Sequence, residues 1–188
     1  MTRLVLLGPP GAGKGTQAKA LAQRLDVPAI STGDIFRANV AEGTELGREA
    51  QRYMDAGEYV PDSVTNAMVA DRLAQPDAAK GFVLDGYPRT AAQVDELDRM
   101  LAAGGARLDR VVEITADADE VVARLRKRAE IEGRSDDTDD VVRRRLEVYA
   151  EQTAPLTALY AERGLLVRVD GLGEVDEVTG RILAAIGR

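Results

Sequence analysis

The chain contains no cysteine and no histidine. The first absence removes any disulfide framework and any thiolate metal site. With histidine missing as well, the usual ligands of zinc are gone and no structural zinc is expected. The lack of imidazole also removes the commonest general base, so any chemistry here has to proceed without one. Long apolar runs are absent too. The N-terminal stretch LVLL (Leu4 to Leu7) is far too short for a membrane span or a secretory signal, and a cytoplasmic location is expected. Basic residues are outnumbered, 25 Lys and Arg against 32 Asp and Glu, for a net charge of −7. Such a chain is not expected to bind nucleic acid along its backbone, which takes a broad basic surface. Any anion it holds has to be gathered by a local basic cluster.

What is present is an ordinary globular composition, 188 residues with 45% apolar and 30% charged. That length buries one good core, and a single domain over residues 1–188 is expected. Short β-branched or apolar runs occur at RLVLL (Arg3 to Leu7), VPAI (Val27 to Ile30), GFVLD (Gly81 to Asp85), RVVEI (Arg110 to Ile114) and LLVRV (Leu165 to Val169), separated by helical periodicity. Strands alternating with helices imply an α/β fold with a parallel sheet covered on both faces. The interval from Val27 to Gly81 is too long for one crossover. Its helical stretches, punctuated by Gly43, Gly57 and Pro61, predict a small helical insertion. A D-x-x-E signal at Asp117 opens a helix through ARLRKR. The polar stretch EIEGRSDDTD (Glu130 to Asp139) is read as a loop interrupting the periodicity before another helix near Asp140.

The first strand runs into GPPGAGKGT, Gly8 to Thr16. Gly8 to Lys14 meets the phosphate-loop pattern G-x-x-x-x-G-K, although Gly15 stands where a hydroxyl is usual and Thr16 supplies it one residue later. A strand, a glycine turn and a helix beginning near Lys14 aim several N–H groups and a helix dipole at one point, which attracts phosphate. Lys14 is placed to bridge terminal phosphates, and Thr16 to contact phosphate or Mg²⁺. Such loops serve hydrolases, motors and kinases alike.

GPPGAGKGT, STGD (Ser31 to Asp34), LDGYPR (Leu84 to Arg89) and GRSDDTDD (from Gly133) occur in one order and at one spacing, and together they resemble the adenylate kinase family over nearly the whole chain. The resemblance implies a five-stranded parallel sheet with helices on both faces, a three-layer sandwich of the P-loop NTPase type. It also implies an AMP-binding insertion near residues 31–60, a short lid near 129–139, and transfer of the γ-phosphoryl group from MgATP to AMP. A UMP- or CMP-type kinase and a non-catalytic ATP sensor are the alternatives.

Residue by residue, the family pattern assigns Gly11, Ala12, Gly13, Lys14, Gly15, Thr16, Arg128 and Gly173 to ATP. It assigns Thr32, Arg37, Glu58, Tyr59, Val60, Gly86, Tyr87, Pro88, Arg89, Gln93, Arg134 and Arg145 to AMP. Lys14, Arg89, Arg128, Arg134, Arg145 and Asp85 are implied in catalysis, Asp85 through the water shell of Mg²⁺ and without a direct protein metal site. The peptide bond before Pro88 is expected to be cis. Arginine suits these roles because its guanidinium is planar, bidentate and permanently charged. Eight basic residues lie between Arg124 and Arg145. Of these, Arg126, Arg143 and Arg144 are read as a solvated helix face balanced by nearby aspartates. Arg134 is expected to be exposed on a lid that Asp136 and Asp137 keep solvated.

Overall fold

The computed structural model describes residues 1–134 and 138–188. In chain order its elements are β1 (Thr2–Leu7), α1 (Lys14–Leu25), β2 (Ala29–Ser31), α2 (Thr32–Glu42), α3 (Glu45–Asp55), α4 (Asp62–Leu73), β3 (Gly81–Asp85), α5 (Ala91–Ala103), β4 (Arg110–Thr115), α6 (Ala118–Glu132), α7 (Asp139–Val148), α8 (Pro155–Glu162), β5 (Leu166–Asp170) and α9 (Val175–Ala185). The five strands form one parallel sheet in the order β2-β3-β1-β4-β5.

The period-two alternation of strand side chains decides how the sheet is covered. Val5 and Leu7 of β1, with Phe82 and Leu84 of β3, face one layer, where Val94 and Leu97 of α5 and Leu156 and Tyr160 of α8 pack. Leu4, Leu6 and Val83 face the opposite layer, against Leu21 of α1 and Val178 and Ile182 of α9. Because both faces are buried, β1 and β3 read as continuous apolar runs. Two small clusters lie off the sheet. Phe36, Ala50 and Val60 hold α2 and α3 to the start of α4, and Val121, Leu125 and Val142 hold α6 to α7.

β2 begins at Ala29 and not at Val27. Pro28 has no N–H to donate, and only its carbonyl joins the ladder, accepting from Val83 N at 3.0 Å. The loop expected from Glu130 is shorter than the sequence suggests, since α6 continues to Glu132 and ends at Gly133, whose φ is 60°. Ala129, Glu130 and Glu132 are good helix formers, and a left-handed glycine at the C-terminal cap supplies the stop. Asp117 caps this helix, accepting from Asp119 N at 3.3 Å.

The glycine loop follows β1, STGD spans the end of β2 and the first turn of α2, and DGYPR begins at the last residue of β3. All three leave the carboxyl edge of the sheet, where ligands of open parallel sheets collect.

Candidate functional site

Two clefts open at that edge. The first, about 950 Å³, is bounded by α2, the chain from Gly57 to Val60, the start of α5 and the end of α7. The second, about 1280 Å³, lies over the glycine loop between α1, α2 and α6. Lys14, Arg37, Arg89 and Arg145 line both. These four cations, with Pro10 and Gly33, thus form the common wall of two cavities.

The loop is shaped by residues that only glycine can supply. Gly13 has φ of 96° and serves as the N-terminal cap of α1 without a capping side chain. The amides of the first helical turn therefore lack partners inside the helix and point at the cavity. Lys14 Nζ donates to the carbonyls of Gly8 at 2.9 Å and Pro9 at 3.1 Å. Desolvation lowers the Lys14 ammonium to a pKa of about 8. Asp85 opposes the shift, while Arg89, Arg145 and Arg128 add to it, in that order. Thr16 is exposed, and Asp85, 9% exposed at the end of β3, lines the same cavity. A methyl group built on Gly15 would sit 3.6 Å from Asp85 Oδ2, so the carboxylate faces the loop across the missing side chain.

In the first cleft, Arg89 is held at three points. Its N–H donates to Gln93 Oε1 at 2.7 Å, its carbonyl accepts from Thr153 Oγ1 at 2.8 Å, and its guanidinium carbon lies 5.1 Å from the Tyr59 ring centroid. Thr32, 2% exposed, donates to the Gly86 carbonyl at 3.0 Å. Gly86 has φ of 86°, and a side chain there would strike Thr32 Oγ1 at 2.5 Å and Arg89 Nη2 at 3.1 Å. No other residue fits between them. The Tyr87–Pro88 peptide bond is cis. Phe36, Met54 and Val60 add an apolar wall. Arg37 pairs with Asp34 at 2.6 Å.

Of the residues assigned from the sequence, Thr32, Arg37, Glu58, Tyr59, Val60, Gly86, Pro88, Arg89, Gln93 and Arg145 line the first cleft. Gly11, Gly13, Lys14, Gly15, Thr16, Asp85, Arg128 and Arg134 line the second. Three are placed otherwise. Tyr87 is fully buried and donates to Asn66 Oδ1 at 2.7 Å, Ala12 packs in the core below the loop, and Gly173 lies outside both linings on the exposed turn before α9. The Arg134 side chain is only 10% exposed, with Glu132 at 3.9 Å, so its expected exposure is corrected: it folds back over α6 into the cleft. Asp136 and Asp137 lie outside the described residues. Arg126 and Arg143 are exposed as read, and Arg144, its side chain 38% exposed, is solvated as well while it engages two glutamates. It pairs with Glu58 at 2.5 Å and Glu147 at 3.3 Å, tying α7 to the chain ahead of α4.

Three contacts at the clefts escape a reading of the sequence. Arg124, four residues before Arg128 on the same helix face, donates to Ala12 O at 3.2 Å and Gly171 O at 2.9 Å, and its Nε pairs with Glu120. Thr153, 3% exposed, sits in a π-helical turn between α7 and α8, where it reaches Arg89. Asp62, at the start of α4, accepts from Gln93 Nε2 at 2.8 Å. The i−4 spacing to Arg128 is the one sequence signal among the three.

Strand order, glycine loop and helix N-terminus define a P-loop protein of the three-layer α/β class, with a second cavity set against the loop. The family model for adenylate kinase matches residues 6–165. The chain is 65% identical to an adenylate kinase of Kocuria rhizophila over the full length of both proteins. It is also 65% identical to one of Nocardioides sp., with 98% of this chain and 96% of that protein covered, and 58% identical to one of Thermobifida fusca, with 98% and 97% covered. The chain belongs to the adenylate kinase family.

Proposed function

We propose that the cleft over the glycine loop takes ATP, that the cleft beside Gln93 takes AMP, and that the γ-phosphoryl group crosses the wall between them. The observation that carries this reading is the set of four cations, Lys14, Arg37, Arg89 and Arg145, common to both cavities. An oxygen of the AMP phosphate forms a bond to the γ-phosphorus as the bond from that phosphorus to the β,γ-bridging oxygen breaks. The electron pair leaves with ADP, and the acceptor becomes the second ADP. The attacking oxygen is already anionic, so no proton has to be removed and a histidine-free site suffices.

Catalysis then consists of positioning and charge neutralisation. Lys14, Arg128 and the first-turn amides of α1 hold the donor phosphates. Arg37 and Arg89 hold the acceptor phosphate, and Arg134 and Arg145 stand where charge builds between them. Arg124, clamping the loop at Ala12 to Gly171, supports the adenosine end of the ATP cleft.

Thr16 and Asp85 offer hard oxygens beside the glycine loop where the donor phosphates would lie. This suits Mg²⁺, which keeps much of its water and takes its remaining oxygens from phosphate. Bound there, it would neutralise charge on the β- and γ-phosphates. Residues 31–60 serve as the acceptor-binding insertion, and the segment near 129–139, part of which lies outside the described residues, as a short lid. The further reading is of a cytoplasmic monomer that takes no nucleic acid, consistent with a net charge of −7.

A coupled assay of ADP formation from MgATP with AMP, CMP, UMP or GMP tests the proposal. AMP is expected to be used well above the others. A preference for a pyrimidine monophosphate, or turnover of ATP alone, would overturn it.

A further inference from the structure

Gln93 is 2% exposed and lines the acceptor cleft, and its amide is held by two groups of opposite hydrogen-bonding character. Its Oε1 accepts from the backbone N–H of Arg89 at 2.7 Å, and its Nε2 donates to Asp62 Oδ1 at 2.8 Å. A backbone N–H can only donate, and an ionised carboxylate can only accept. Turning the amide over would set NH₂ against N–H and oxygen against carboxylate, so one orientation is enforced. Asp62 is in turn held by Thr90, whose hydroxyl reaches both carboxylate oxygens at 3.3 Å while it caps α5 at Gln93 N, 3.2 Å away. The terminal amide has two N–H donors and two acceptor lone pairs. The network takes one of each, leaving one N–H and one lone pair for the cleft.

We propose that Asp62 is a positioning residue for base specificity, pinning the Gln93 amide in the sense that reads a 6-aminopurine and rejects a 6-oxopurine. This rests on the reading of this cleft as the monophosphate site. Adenine presents a donor at its 6-amino group beside an acceptor at N1, which meets amide oxygen and amide N–H respectively. Hypoxanthine and guanine present the reverse, an acceptor at O6 beside a donor at N1, and need the amide turned over. A buried polar group left facing its own kind costs far more than a good hydrogen bond gains, and such mismatches give strong discrimination. Asp62 touches neither the phosphates nor, on this geometry, the base, and acts only through Gln93.

The test compares kcat/KM for AMP and for IMP, with ATP as donor, in wild type, Asp62→Asn and Asp62→Ala, alongside each protein's unfolding midpoint. Asparagine keeps the shape but can donate or accept, and alanine removes the partner. In both, the AMP:IMP ratio is expected to fall about tenfold or more, with KM for ATP unchanged. A loss of structure would lower activity with both monophosphates together and leave the ratio in place. An unchanged ratio in a folded variant overturns the inference about Asp62, while the acceptor reading stands. A wild-type enzyme that turns over neither monophosphate, or both equally, overturns the reading of the cleft itself. Either variant alone suffices should the other fail to fold.

Discussion

The guanidinium of Arg89 lies over the ring of Tyr59, 5.1 Å from its centroid, and the Tyr59 hydroxyl meets Thr153 Oγ1 at 2.5 Å. Thr153 spends its own proton on the Arg89 carbonyl, so Tyr59 is the donor to Thr153. One tyrosine thus steadies the acceptor arginine from the ring face and, through Thr153, from the backbone. A partly desolvated cation–π contact is worth about 0.5–2 kcal/mol. Tyr59→Leu is therefore expected to raise KM for AMP roughly 2- to 30-fold, and Tyr59→Phe, which keeps the ring, distinctly less. Steady-state kinetics at saturating ATP check this. Equal effects from both variants would assign the contribution to the hydroxyl.

Lys14→Met should leave the fold intact, because Lys14 lines the clefts and its ammonium bonds only carbonyls of the loop, and should lower kcat by about 10²–10³ or more, the scale for losing a preorganised charge at the transition state. Near-normal kcat would remove Lys14 from the mechanism.

The same lysine has a pH signature. Its folded pKa of about 8 lies below the ordinary 10.5, chiefly through desolvation. Between those two values the unfolded chain binds more protons than the folded one, so this group makes stability rise with pH across that window. Stability of wild type relative to Lys14→Met should accordingly increase from pH 8 to 10, as urea melts at several pH values would show. Phosphates entering beside Lys14 favour its charged form, so ATP binding at pH 9 should take up protons and binding at pH 7 almost none. Calorimetry in buffers of different ionisation enthalpy reads the difference, and Lys14→Met should abolish it.

Arg124→Ala should cut the link between the loop at Ala12 and Gly171. Two charge-assisted hydrogen bonds, each on the order of 1.5–3 kcal/mol in gross terms, are lost where solvent partly replaces them, so a rise in KM for ATP of about tenfold is expected, with KM for AMP unchanged. A matching rise in both constants would make Arg124 a general scaffold residue.

Arg134→Ala is expected to slow phosphoryl transfer by about 10–10³-fold, at roughly 1.4 kcal/mol for each factor of ten. Because the side chain is packed against α6, a drop in unfolding free energy should accompany it. Unchanged kcat/KM with lowered stability would leave Arg134 a purely structural residue.

The scaffold is readable from local chemistry. The bounds of α1 follow from glycine before Lys14 and a helical period to Leu25, and β3 from an apolar run that starts at a glycine. Positions supplying backbone or a cation to the clefts are readable because the loop, DGYPR and the arginines are contiguous or regularly spaced. What is not readable depends on tertiary approach. Thr153 is 64 residues from the Arg89 carbonyl it reaches, Asp62 is 31 from Gln93, and Arg144 is 86 from Glu58. None of these pairs leaves a periodic trace. The end of α6 is hard to read for another reason: acidic residues around Ile131 look like a loop by polarity, although their helix propensity and the stop at Gly133 favour helix.

The cations of the wall between the clefts are lysine and arginine, with no imidazole among them. Histidine is the side chain whose ordinary titration falls between pH 5 and 8, and here that interval is left to the ligands. A phosphate monoester loses its second proton at about pH 6. Acidification should therefore weaken the reaction through the nucleophile and not through the protein. The acid limb of the kcat/KM profile, which reports the free reactants, becomes a property of the cargo: it should shift when AMP is replaced by an analogue with a more acidic phosphate and stay fixed when residues of the wall are exchanged.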